Sequence, residues 1–414
     1  MNNLFKNSPL RKKTWIFPWK YKESFVIAFG LLLIGFLLEL FSNGGGFYSP
    51  TWPNNLIILL SLVVYIIFTH FFVTHPLIKW LGSIPAAISA IIVFTTLILL
   101  MGFIPQNKEN SITIINKIGL NHITQSFSYV IISFYLLIIL GYTITKRLYP
   151  INLKNFAFFM NHAGLWVVLA TGSLGAGDIV RLIMPIQEKQ TSKYAYDNNN
   201  KLFQLPFSIE LIDFSIDEYP PNIILAGIAD GKIIANKDKQ KLPEIIQGKT
   251  IKMKDWIVYI SKYYEMSYIS DSSYYFSSDS GAVPSAYIIA TNVFTNQIKE
   301  GWISCGNYKF QKNYLIIDNK VFIGMLEPPA KKFSSKIKIY TSDKIEKIYT
   351  IEVNKPIRVE GWEIYQSSYD SAMGRWSTIS VFEIVKDSWY KAVYFGIVML
   401  LIGSIMLFWH GKYR

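Results

Sequence analysis

Six stretches of this chain stay apolar for long enough to cross a bilayer as helices, a length of ~20 residues. They run at about Ser24–Phe41, Asn55–Thr74, Ile84–Ile104, Phe127–Thr145, Phe156–Leu174 and Ala392–Trp409. With 51% hydrophobic residues over 414, the chain is too apolar for an ordinary soluble domain. The first run starts late, lacks a small-residue cleavage site and is followed by further runs, so it reads as a span and not as a removed signal. The expected organisation is a basic N-terminus at 1–23, a membrane domain of five helices at 24–174, a polar domain at 175–391, a last helix at 392–409 and a tail at 410–414.

Charge orients the spans. Lys6, Arg11, Lys12, Lys13, Lys20 and Lys22 precede the first, Lys79 follows the second, Lys146, Arg147 and Lys154 lie between the fourth and fifth, and Lys412 and Arg414 end the chain. The loop between the first two runs is uncharged. By the positive-inside rule these basic segments face the cytoplasm, which puts residues 175–391 on the other side. That domain has 27 basic and 25 acidic residues, so only +2 of the net +13 belongs to it. The basic balance is topology, and a nucleic-acid partner has no support.

Residues 206–216, 251–264, 285–294, 335–341, 346–354, 361–368 and 377–385 alternate apolar and polar side chains between Gly, Pro, Asn and Asp breaks. A period of two marks half-buried antiparallel strands. The expected fold class is therefore a helical membrane domain of about six transmembrane helices plus a large extracytoplasmic all-β domain, a sandwich or open barrel. The Ser/Tyr-rich stretch Ser267–Gly281 reads as a loop. Cys305 is the only cysteine, which excludes an internal disulfide, a Cys-x-x-Cys centre and covalent haem attachment to this chain. Its apolar context suits a packing residue. No phosphate loop or nucleophile elbow occurs, and Glu210, Asp213 and Asp217 read as a strand edge in water, so no catalytic residue is expected.

Chemistry concentrates in FAFFMNHAGLWVVLATGSLGAGDIVRLIMPIQE (156–188), where His162 stands inside the apolar run. An imidazole in hydrocarbon faces protein, water or a bound group, and a neutral imidazole is an axial haem ligand. His162 falls about two turns in from the cytoplasmic side, level with His70 and His75 at the end of the second run. Being five apart, His70 and His75 share no helix face, so at most one would pair with His162. Asn161 and Trp166 are candidates for a hydrogen bond beside the ligand and an aromatic wall. The plainer alternatives are a helix–helix hydrogen bond for His162 and interfacial snorkelling for His70 and His75. His122 and His410 read as solvated.

Four stretches carry a family resemblance. NHAGLWVVLATGSLGAGDIVR with IMPIQE, LPFSIELIDFSIDEYP, and GWEIYQSSYDSAMGRWSTISVFEIVKDSWYKAVYFGIVMLLIGSIMLFW resemble, across roughly Phe156–Trp409, the ResB/CcsB family of System II cytochrome c biogenesis in a six-span form. The last segment, with Gln366, Ser367, Ser368, Tyr369 and Asp370 ahead of two strands and the final span, is the most specific. The chain departs from the family at Lys386–Trp389, where the family has Asp-Pro-Gly, and in having four spans before residue 145.

The resemblance implies a component of a complex in the bacterial cytoplasmic membrane. With a ResC/CcsA-type partner, such a protein moves haem b across the membrane and presents it to the Cys-x-x-Cys-His of apocytochrome c. It implies His162 as one axial ligand of haem in transit, shared with the partner. Gln366, Ser367, Ser368, Tyr369 and Asp370 would be a docking surface, against a plain strand-and-turn role. No compact Trp-rich WGxxWxWD-like run occurs, so the chain would be one half of a synthase and not an enzyme by itself. Two other readings stand beside it: an electron-transfer subunit holding haem b between its own histidines, and a cofactor-free scaffold whose outer domain binds proteins.

Overall fold

A computed structural model describes residues 15–106, 113–148, 150, 152–234, 242–341 and 346–410. Lys6, Arg11, Lys12, Lys13, Lys412 and Arg414, which help to orient the spans, lie outside the described residues. The chain forms two compact units: residues up to Ile179 together with Asp387 onward, and Val180–Lys386.

The first unit is helical, with α1 (Tyr21–Phe41), α2 (Asn54–Phe72), α3 (Pro76–Leu81), α4 (Ile84–Phe103), α5 (Thr113–Lys117), α6 (Phe127–Lys146), α7 (Leu153–Gly175) and α8 (Tyr390–His410). All but α3 and α5 are long and apolar enough to cross a membrane, and the protein is a multi-pass membrane protein. Mean hydropathy is 2.1–2.5 for five of them and 1.3 for the span of α7, and packing separates them further. α6 touches α1, α2, α4 and α7, and 56% of its apolar window is buried against 11% for α8. Its Tyr142 hydroxyl hydrogen-bonds Thr69 on α2. α8 packs chiefly on α7, backbone against backbone: a methyl group on Gly164 would overlap the backbone of Leu400. Small residues allow helices in hydrocarbon this close approach.

A short turn after α7 holds Asp178. Its carboxylate accepts from the Trp52 backbone N–H (2.8 Å), the Asn55 amide (2.7 Å) and the Trp389 indole (2.7 Å). One buried-edge carboxylate thus ties together the neighbouring ends of α2, α7 and α8.

The second unit is all β. Its strands are β1 (Val180–Gln187), β2 (Thr191–Tyr196), β3 (Leu202–Glu218), β4 (Ile223–Gly227), β5 (Thr250–Met253), β6 (Trp256–Ser270), β7 (Ser273–Phe276) and β8 (Val283–Asn292). They continue with β9 (Ile298–Ser304), β10 (Leu315–Ile316), β11 (Val321–Met325), β12 (Ala330–Tyr340), β13 (Glu346–Glu352), β14 (Ile357–Val359), β15 (Trp362–Tyr369) and β16 (Ile379–Lys386). An eight-stranded sheet runs β13-β12-β3-β2-β1-β16-β15-β14. It is barrel-like: Ser335 on β12 hydrogen-bonds Gln366 on β15 and Ser380 on β16, although three strands separate β12 from β16 in the sheet. Phe207, Ile209, Leu211, Ile337, Phe382 and Ile384 fill the space enclosed. A five-stranded sheet, β5-β6-β8-β9 with β7 on β6, and a three-stranded sheet, β10-β11-β4, share a second core around Trp256, Val258, Ile288 and Ile303.

Two expectations about strands need correction. Ser267–Gly281 is mostly not a loop: β6 runs to Ser270 and β7 pairs back on it. Asp271 and Ser272 take positive φ (46° and 66°), the conformation of a two-residue hairpin turn. Tyr268 and Tyr275 then pack across the hairpin with ring centroids 5.9 Å apart. Composition suggested a loop, yet tyrosines suit a pleated, half-buried surface. Residues 251–264 are likewise split by a turn into β5 and the start of β6.

Candidate functional site

His162 sits in the third turn of α7, half-buried. Its Nδ1 lies 3.0 Å from the carbonyl oxygen of Phe158, one helical turn earlier. A carbonyl only accepts, so Nδ1 carries the proton and Nε2 keeps its lone pair. The ring stacks on Phe158 at 3.7 Å between centroids and 21° between planes. The Arg147 guanidinium lies over the Phe158 ring, 4.6 Å from its centroid. Imidazole, benzene ring and cation thus cluster toward the start of α7.

A cavity of about 400 Å³ opens between α2, α6 and α7, lined on α7 by Phe159, Ala163, Trp166 and Val167. These positions form the face of α7 that looks toward α2. His162 lies outside that lining, turned roughly 90° from the middle of the face. The partners of the three rings differ: Phe158 for His162, Phe71 for His70, and Phe17 with the Leu77 N–H for His75. His70 is half-buried in the last turn of α2 with its ring edge-on to Phe71. His75 is exposed and caps α3: its Nδ1 accepts from the Leu77 backbone N–H at 3.2 Å, so the proton sits on Nε2. That tautomer serves the helix start and leaves no Nε2 lone pair.

Trp166 and Asn161, the two residues expected beside the ligand, turn their polar groups to neighbouring helices. Trp166 lines the cavity, its indole donating to the Leu137 carbonyl on α6 (2.9 Å). Asn161 turns to α8 instead, its amide donating to Ser404 Oγ (2.6 Å) and toward the Leu400 carbonyl. Adjacent residues on a helix diverge by about 100°, so Asn161 is a clamp between helices and not a partner of the His162 ring.

His122 is buried, contrary to its expected solvation. Its Nε2 lies 3.0 Å from Oε1 of Glu39, near the end of α1, and its Nδ1 lies 2.8 Å from Asn121 Oδ1. Glu39 is 0% exposed and also accepts from the backbone N–H groups of Gly46 (2.9 Å) and Phe127 (3.0 Å). A carboxylate inside an apolar helix end recruits donors from the connecting segments, and His122 is one of them. The side chain of His410, the last residue of α8, lies outside the described residues.

In the β unit the expected docking segment divides. Gln366 is 4% exposed, its Oε1 accepting from Ser335 and Ser380 and its Nε2 donating to the Ser368 carbonyl (3.1 Å). It belongs to the barrel interior and corrects the docking expectation at that position: strand alternation turns its amide inward, where two hydroxyls meet it. A bulge then places both Ser367 and Ser368 outside. Tyr369 is wedged against Phe214 and Phe333, each ring 5.4 Å away, and Asp370 closes the following turn by accepting from the Ala372 N–H (3.0 Å). Cys305 is buried, and burial pushes its thiol up to about 12, which suits packing and not nucleophilic chemistry.

A comparison with curated proteins gives no match. Residues 289–380, from within β8 into β16, match the model of the ResB-like family, consistent with a ResB/CcsB-like protein.

Proposed function

We propose that this ResB-like protein is one half of a haem-delivery complex of cytochrome c biogenesis, carrying haem b through the membrane on His162. The observation that carries this reading is the hydrogen bond between His162 Nδ1 and the Phe158 carbonyl oxygen. Nδ1 is engaged with the Phe158 carbonyl, and Nε2 is left to ligate. Iron-binding imidazoles are held in this way, with the far nitrogen donating to a carbonyl that fixes the ring. The surroundings fit the cargo. Phe158 stacks on the imidazole and steadies its plane, and Arg147 offers a positive charge for the carboxylates of a tetrapyrrole. Bound haem would contribute an iron that accepts a neutral imidazole axially.

His75 commits its Nδ1 to the start of α3 and His70 lies edge-on to Phe71. In this reading the second ligand comes from a ResC/CcsA-type partner. In this reading the basic loops at Lys79 and at Lys146, Arg147 and Lys154 face the cytoplasm of a bacterial cell. The β unit then lies outside, where apocytochrome c receives the haem, and exposed Ser367 and Ser368 border its docking surface. Thioether formation belongs to the complex, not to this chain alone.

Absorbance spectra of the chain purified alone and co-expressed with its partner test the proposal. A b-type haem spectrum that is full only with the partner is expected. Full haem in the chain alone would make this a resident electron-transfer subunit, and no haem in either preparation would leave a scaffold.

A further inference from the structure

A second cavity, of about 560 Å³, lies wholly in the β unit, bordered by the end of β3, the start of β8, the loop after β9 and the turn between β15 and β16. Its volume is in the range of ligand sites, roughly 300–1,000 Å³. Of its residues only Tyr369 belongs to the expected docking segment, and none lies near His162 in the sequence.

Its polar centre is an ion pair with unfinished hydrogen bonds. The Arg375 side chain is 19% exposed and that of Glu218 14%. Arg375 Nη2 donates to Glu265 Oε1 at 3.1 Å. Nη1 lies 3.3 Å from Glu218 Oε2, off the hydrogen-bond direction, and this buried nitrogen has no hydrogen-bond partner. Burial pushes the Glu218 carboxyl above the usual range, and Arg375 only partly offsets it. A buried donor left unsatisfied costs about 1–3 kcal/mol, and native structures keep few of them. Here the open donor and a carboxylate stand side by side in a cavity with firm walls. Val283 and Pro284 are apolar, Trp376 is fixed by its indole bond to the Ala282 carbonyl (3.0 Å), and Tyr369 is wedged between two rings.

The charges select the ligand class. An anion would meet Glu218, Glu265 and the rim carboxylate Glu327. A cation would meet Arg375, and Lys312 at the rim. A peptide unit is uncharged and offers a carbonyl and an N–H together, one for Arg375 Nη1 and one for Glu218. We propose that this cavity binds an uncharged, extended peptide segment of another protein, with Arg375 and Glu218 as its paired backbone anchors.

Photo-crosslinking of the full-length protein in nanodiscs tests this. The probe is a pentapeptide, acetylated and amidated so that it has no charge, with benzoylphenylalanine at its centre. Labelling is expected at residues 305–312 and 369–376, and should fall roughly ten-fold or more in Glu218→Gln, which keeps shape, and in Arg375→Gln. Probes with an added aspartate or lysine should label more weakly. Should Arg375→Gln fail to fold, Ala372→Trp decides, because it fills the cavity from an exposed position and leaves both charged groups in place. Labelling scattered over the β unit, or unchanged in Glu218→Gln or Ala372→Trp, would overturn the proposal.

Discussion

Glu39 and His122 lie 83 positions apart in sequence and 3.0 Å apart in space, with the carboxylate wholly buried. Breaking a buried pair by removing one partner costs about 3–5 kcal/mol, because the survivor stays buried without compensation. Glu39→Leu should lose about this much in thermal unfolding of the detergent-solubilised protein. Adding His122→Leu should cost little more, a coupling of about 1–3 kcal/mol; additive losses would refute the pairing. Cys305 gives a second test. Its folded-state pKa rises from 9.0 to about 12 through burial, so the folded state holds this proton more tightly than the unfolded chain. Its contribution is full below pH 9 and is lost as pH rises toward 12, up to about 4 kcal/mol. The unfolding midpoint of Cys305→Ala should therefore fall less steeply over that window than that of wild type. Buried Tyr263, also pushed up by desolvation, keeps some slope in both.

At the scale of elements, the α7–α8 contact is the most demanding. Gly164→Val should destabilise the helical unit by about 1–3 kcal/mol, because its side chain would overlap the Leu400 backbone. Gly172→Val, on the same helix with nothing within 4 Å, is the control and should change little. Equal effects would remove backbone contact as the cause. The helices themselves were legible from apolar length, and β3, β12, β13, β15 and β16 from alternation, because both depend on neighbours in sequence. What stayed hidden depends on distant partners. Gln366 looks like a surface amide until Ser335 and Ser380, 31 and 14 positions away, close over it. Glu39 near the end of α1 was the available signal for a buried site, since a carboxylate in an apolar run needs a partner, but nothing local pointed to His122. Asn161 and His162 are adjacent, and only the position of α8 reveals that they serve different neighbours.

For the whole molecule, the account rests on a division of labour. The helical unit presents the His162 imidazole, held through Nδ1 with Nε2 left over, while the β unit holds the ResB-like segment 289–380. Under the proposed function, haem would be held jointly with a partner, as transfer requires. The most direct test is the absorbance spectrum of the complex purified with its partner, for wild type and His162→Ala, with and without added imidazole. The account predicts a b-type haem spectrum in wild type, its loss or weakening in His162→Ala, and its recovery with imidazole. Haem retained undiminished in His162→Ala would contradict the account and leave His162 a structural residue of α7.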